Sequence, residues 1–168
     1  GDALINYRIA KNMGIDIKSA VGERGIEEFA SAASDCDILV DGLFGTGIAG
    51  ELTGTYRRIV ETINEYAPYV ISADMPSGLD PDTGRIMGVC VNADITVAFS
   101  LPKMGFYLYP GASCTGKVVV EDISIPPALT GSGDIDVDLV EKDDIAKLFP
   151  RRSGDANKGT FGRALIIA

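Results

Sequence analysis

Histidine and tryptophan are absent from the 168-residue chain. Without imidazole, the usual base at neutral pH and the commonest transition-metal ligand are missing, which excludes Ser-His-Asp and Cys-His catalysis and histidine-ligated zinc. Cysteine is scarce. Cys36, Cys90 and Cys114 are odd in number, widely spaced and without a C-x-x-C pair, so they read as buried or incidental thiols of a reducing cytoplasm. Long apolar runs are lacking too: the longest, Ala164 to Ala168, has five residues, where a bilayer span needs about 20. No membrane span is expected. Basic residues number 15 against 24 acidic ones, a formal charge of -9 that repels phosphate backbones and leaves no polybasic patch for a membrane surface. Nucleic acid is therefore not an expected partner.

What is present suits a globular protein. The 46% hydrophobic and 23% charged content argue against disorder, and the length allows one domain with room for a piece of a second. Gly1-Asp2-Ala3 leads straight into an apolar-periodic segment with no initiator methionine or signal-like region, and the other end stops on a β-like run. Both ends are expected to be internal to a longer protein.

Hydrophobic periodicity alternates between helix and strand. Residues 2–13 place Ile5, Ile9 and Met13 on one helical face, and 15–21 read as extended. Residues 24–34 carry Ile26, Phe29, Ala30 and Ala33 at amphipathic spacing, and 53–66 repeat it with Tyr56, Ile59, Val60 and Ile63 until Pro68 stops the helix. Strands are expected over 36–41, 69–73, 95–99 and 116–122. This alternation implies an α/β fold with a mainly parallel sheet and helices on both faces. A Pro, Gly, Ser and Thr-rich stretch at 125–133 reads as a connector, and 141–149 as a short helix ended by Pro150.

Ligands of parallel sheets bind beyond the carboxyl ends of the strands. Three positions there stand out. Asp41 closes the first clear strand and precedes Gly45-Thr46-Gly47-Ile48-Ala49-Gly50, a G-x-G-x-x-G run that either cradles a phosphate with backbone amides or makes a tight turn needing positive φ. Asp74 closes the next strand and precedes Met75-Pro76-Ser77-Gly78-Leu79-Asp80; it reads as a site acid or as turn chemistry. Lys103 follows the third and is either a cleft lysine or a solvated loop residue. Asp80, Asp82 and Asp94 read as turn and boundary acids.

Together, Asp41-Gly42-Leu43-Phe44-Gly45-Thr46-Gly47, Asp74-Met75-Pro76-Ser77-Gly78-Leu79-Asp80, the strand Ala93 to Phe99 and Pro102-Lys103-Met104-Gly105 resemble the NAD(P)H-hydrate epimerase family. The tail, Arg151 to Arg163, resembles the opening of the ribokinase-like NAD(P)H-hydrate dehydratase domain. The resemblance implies a Rossmann-like three-layer α/β/α fold without its N-terminal part: an epimerase domain over 1–126, a connector over 127–150 and the start of the dehydratase over 151–168. The family's Asn-Asn-Gly-Gly-Asp motif is expected upstream of Gly1. The implied activity is isomerisation: interconversion of the R and S epimers of NADH or NADPH hydrated at C6 of the nicotinamide ring. A dehydratase using ADP or ATP then restores the S epimer in the parent protein. By the same resemblance, Asp41 and Ser77 give oxygen ligands to a potassium ion, while Gly45, Thr46, Gly47, Ile48, Ala49, Gly50, Glu51 and Asp74 contact the hydrated dinucleotide. A hard cation suits carboxylate, hydroxyl and carbonyl oxygens. Asp74 is the candidate acid/base, and Lys103 a further candidate. The parent is expected to be a cytoplasmic homo-oligomer, and this chain alone to have weak or no activity. Two other readings stay open: an NAD-dependent oxidoreductase with Asp74 on the ribose, and a non-catalytic Rossmann-like interaction module.

Overall fold

The computed structural model describes residues 1–131, 133, 135, 137–148, 154, 163, 165 and 166. Contacts divide the chain into two units, Gly1–Pro126 and Pro127–Ala168. The first contains α1 (Asp2–Asn12), α2 (Gly22–Asp35), β1 (Leu39–Asp41), α3 (Gly54–Tyr66), β2 (Val70–Ala73), β3 (Ile95–Phe99) and β4 (Lys117–Glu121), with short 3-10 turns at Met104–Phe106 and Gly111–Ser113. In the second unit, α4 (Pro127–Thr130) and α5 (Lys142–Leu148) are the described helices. The side chain of Asp144 accepts the backbone N–H of Glu141 at the start of α5. Phe149, Pro150 and most of the tail from Arg151 onward lie outside the described residues.

The four strands are all parallel and stand in the order β1-β2-β3-β4, as the alternating pattern implied for a Rossmann-like α/β fold. A consecutive order has a strict geometric result. Right-handed crossovers that always step in the same direction must all pass over the same face of the sheet. The core shows this. Ile59, Val60 and Ile63 of α3 pack with Ile26 of α2, Val70 of β2 and Val91 from the β2–β3 connection. Met75, Leu79 and Cys90 of that connection, and Phe106 and Cys114 from the β3–β4 connection, pack with Ala98 of β3. Inward positions alternate along each strand. Leu39 and Asp41, Val70 and Ser72, and Thr96 and Ala98 point to this covered face, while Val40 and Phe99 on the other face are 67% and 40% exposed. The second helical layer of a three-layer sandwich would lie on that open face.

The helices of this unit differ in how they use their apolar sides. α2 and α3 bury the expected stripes and are joined by Arg58, whose guanidinium makes paired bonds to both carboxylate oxygens of Glu23, at 2.5 and 2.8 Å. No residue of α1 is buried; Ile5, Ile9 and Met13 share a side but stay at least half exposed. Tyr56 is likewise 53% exposed, because the first turn of α3 overhangs the glycine loop and not the sheet. Residues 15–20 pair with no strand, and β1 starts at Leu39 and not at Cys36.

Candidate functional site

Three strands place polar side chains in one row on the covered face. Asp41 stands beside Ser72 in register, and Ser72 beside Thr96. All three are 0–1% exposed. Asp41 is satisfied by neutral donors only: its Oδ1 accepts the Ser77 hydroxyl at 2.6 Å and the Leu43 amide at 3.3 Å, and its Oδ2 accepts the Ser77 amide at 2.8 Å and the Ser72 hydroxyl at 3.0 Å. Ser77 Oγ also accepts the Phe44 amide at 3.0 Å and lies 3.4 Å from the Phe44 carbonyl oxygen. The structure therefore brings Asp41 and Ser77 into direct contact. Ser72 was not singled out from the sequence. Its signal was a polar residue at an inward position of an otherwise apolar strand.

Asp74 and Lys103 form the second group. Asp74 leaves β2 with φ +69°, a left-handed backbone that costs strain in a non-glycine residue and reappears at functional sites. The turn is pinned by its amide, which donates to the Val97 carbonyl at 2.9 Å. Lys103 Nζ bonds Asp74 Oδ1, which also accepts the Phe99 amide at 3.2 Å, and the ammonium reaches the Phe99 carbonyl at 3.3 Å. The two side chains are 22% and 17% exposed, so the pair is shielded but open at the carboxyl ends of the strands. Among the described residues, Asp74 Oδ2 has no hydrogen-bond donor; a Cβ built on Gly45 would lie 3.7 Å from it.

The glycine segment connects these groups. Only Gly50 of its three motif glycines needs a left-handed φ, +81°. At Gly47 a Cβ would meet nothing within 4 Å, and at Gly45 only the Asp74 carboxylate. A tight turn thus accounts for one glycine, while the others leave the backbone bare. Gly45, Thr46, Gly47, Ala49, Gly50 and Glu51 are exposed, whereas Ile48 packs against the core. A cleft of about 250 Å³ opens between the segment and α3, lined by Phe44, Gly47, Glu51, Thr53 and Tyr56 among others. The rings of Phe44 and Tyr56 meet edge to face there, with centroids 4.9 Å apart. Phe44 joins the two regions, since its ring walls the cleft and its backbone bonds Ser77.

The remaining acids act locally. Asp80 Oδ1 accepts the amides of Asp82 and Thr83 and the Thr83 hydroxyl, which, led by that hydroxyl, hold its carboxyl below the usual carboxylate range. Asp94 accepts the Val70 amide at 2.7 Å, at the start of β2. No group of three or more Cys, Asp or Glu poised for a metal occurs among the described residues.

The family profile described as YjeF-related protein N-terminus matches residues 1–105. The bifunctional NAD(P)H-hydrate repair enzyme Nnr of Thermofilum pendens is 44% identical over 163 residues, 97% of this chain and 30% of that protein. Its counterpart in Moorella thermoacetica is 36% identical over 167 residues, 99% of this chain and 32% of that protein. An NAD(P)H-hydrate epimerase of Limosilactobacillus fermentum is 40% identical over 88 residues, 52% of this chain and 42% of that protein. The chain thus spans about a third of the bifunctional relatives.

Proposed function

This chain belongs to the YjeF-related N-terminal family, and we propose that within its parent protein it interconverts the R and S epimers of hydrated NADH or NADPH. The observation that carries the reading is the shielded Asp74–Lys103 pair facing a bare glycine backbone at the sheet's carboxyl edge. On this reading residues 1–126 are the epimerase domain, 127–150 a connector and 151–168 the opening of a dehydratase that uses ADP or ATP. Cytoplasmic location and a homo-oligomeric parent belong to the same proposal.

The hydroxyl-bearing C6 inverts either by opening and reclosing of the ring C–N bond or by loss of its hydroxyl and return of water on the other face, and the proposal takes the second route. As the ring nitrogen's lone pair closes onto C6, the leaving hydroxyl takes a proton from the Asp74–Lys103 pair and departs as water. When water adds to the opposite face, its proton returns to the pair. Asp74 is the group in contact with the reacting oxygen through Oδ2, and Lys103 holds Oδ1 so that this oxygen faces the ligand. The exposed backbone of Gly45 to Glu51, beside the N-terminus of α3, suits the pyrophosphate, because unpaired amides and the helix dipole both favour negative charge.

A monovalent cation also fits. Asp41 is a buried carboxylate with no cationic partner among the described residues, and the Ser77 hydroxyl and Phe44 carbonyl supply neutral oxygens beside it. One carboxylate with neutral oxygens matches the charge of potassium better than that of a divalent ion. Asp41 and Ser77, with the Phe44 carbonyl, would hold the ion. Bound there, it would offset the Asp41 charge and part of the pyrophosphate's.

The test is epimer exchange. The parent protein is mixed with a resolved epimer of hydrated NADH, and the approach to equilibrium is followed by NMR with potassium or with lithium. Asp74→Asn is expected to abolish the enzyme-catalysed exchange. Lys103→Met is expected to lower kcat by about 10²–10⁴-fold, the range of general acid–base effects, with a smaller change in KM. Wild-type exchange no faster than the spontaneous reaction would eliminate the proposal.

A further inference from the structure

Two thiols take no part in this chemistry. Cys90, in the β2–β3 connection, is 5% exposed, and Cys114, ending the 3-10 turn before β4, is 4% exposed. Both belong to the apolar cluster of Met75, Leu79, Ala98 and Phe106. The backbone brings their segments side by side: the amide of Ala93, just past Cys90, donates to the Cys114 carbonyl at 2.9 Å. Inside the cluster the Cys90 thiol donates to the Val91 carbonyl at 3.4 Å, and the Cys114 sulfur lies 3.9 Å from the Ser113 hydroxyl oxygen. The neighbouring Cys90 thiol holds the Cys114 thiol down to about 6 against the opposing effect of burial, with further help from the Ser113 hydroxyl, while the Cys90 thiol is pushed up. Cys36 differs in every respect. It is half-buried, lies outside the cluster and donates to the Ala33 carbonyl at 3.2 Å.

We propose that Cys90 and Cys114 are a dithiol that hydrogen peroxide closes into an intramolecular disulfide, tethering the wall behind Ser77 to the turn that enters β4. The Cys114 sulfur attacks the peroxide, the O–O bond breaks, and one oxygen leaves as water while the other stays on sulfur as a sulfenic acid. The Cys90 sulfur then attacks that sulfur, gives up its proton and expels a second water. Two thiols lose two electrons in all and one peroxide is reduced to two waters. The bond would act next to the candidate site, because the Val91 amide donates to the Ser77 carbonyl at 2.9 Å and Gly78 is pressed against Val89 and Cys90.

The experiment uses the full chain carrying Cys36→Ser. It is treated with hydrogen peroxide under native conditions, alkylated, and digested without reduction for mass spectrometry. The expected result is one crosslinked peptide pair containing Cys90 and Cys114, two hydrogens lighter than the reduced peptides together, with both free thiols lost in step. Adding Cys114→Ser is expected to abolish the crosslink and leave Cys90 alkylatable; if that variant fails to fold, Cys90→Ala gives the converse reading at Cys114. A sulfinic acid at either position without crosslink, or a crosslink that forms only in denaturant, overturns the proposal.

Discussion

Asp41 accepts four hydrogen bonds, from Leu43, Ser72 and twice from Ser77, and it is 1% exposed. An amide in its place would aim an NH₂ group at donors that have nowhere else to turn. Asp41→Asn is therefore expected to lower stability by about 1–3 kcal/mol, the usual cost of stranding buried donors, measured by urea unfolding. The same substitution is expected to remove any difference between potassium and lithium in the melting temperature; a potassium effect that survived it would move the ion elsewhere. Asp74 sits under the opposite regime. One oxygen is held by Lys103 and the Phe99 amide, and the other looks out past Gly45. Gly45→Ala should change stability by no more than about 0.5 kcal/mol, as surface substitutions do, yet weaken substrate binding by putting a methyl group before that oxygen. Calorimetry with the hydrated cofactor checks the second half. Much of this was legible from sequence, because Asp41, Asp74 and Lys103 each follow a readable strand. Ser72 was not, since a small polar residue inside a short strand looks like any other strand position until the register sets it beside Asp41.

The connection from β2 to β3 carries the site at the scale of elements. It contains no helix; after Asp74 it runs through Ser77 and Gly78 and returns along Val89 to Val91, with the Met87 amide donating to the Gly78 carbonyl and the Val91 amide to the Ser77 carbonyl. Gly78 has φ +98°, and a Cβ there would stand 2.0 Å from the Val89 carbonyl oxygen. Gly78→Ala is expected to cost about 3–5 kcal/mol, combining a backbone clash with a disfavoured φ, while Gly47→Ala on the open loop leaves the unfolding midpoint nearly unchanged. Equal losses at the two positions would contradict this division of the glycines. Periodicity located α2 and α3 well because their apolar stripes meet each other and the sheet. It also found α1, but amphipathic spacing reports only that a helix has an apolar side, not what covers it. The nearness of Cys90 and Cys114 was not legible at all, because it arises where two crossovers pass over the same patch of sheet.

At the scale of the whole chain, the uncovered sheet face sets expectations for handling. Val40 at 67% and Phe99 at 40% are exposed on that face, and α1 adds Leu4, Ile5 and Ile9 at 50% or more. Apolar exposure on that scale marks an interaction surface or a tendency to associate. The isolated chain should bind a hydrophobic dye such as ANS in its folded state. Val40→Thr should reduce that fluorescence without lowering the unfolding free energy by more than about 0.5 kcal/mol. Dye binding no greater than that of an ordinary folded protein would mean the face is covered in solution. Net charge of -9 opposes association and should make it salt-dependent. The consecutive strand order has a further consequence, for synthesis. Among the described strands each pairs with the one made just before it, so none of these pairings waits for a distant partner and loop closure stays short at every step. The sheet can grow in the order in which the ribosome delivers it.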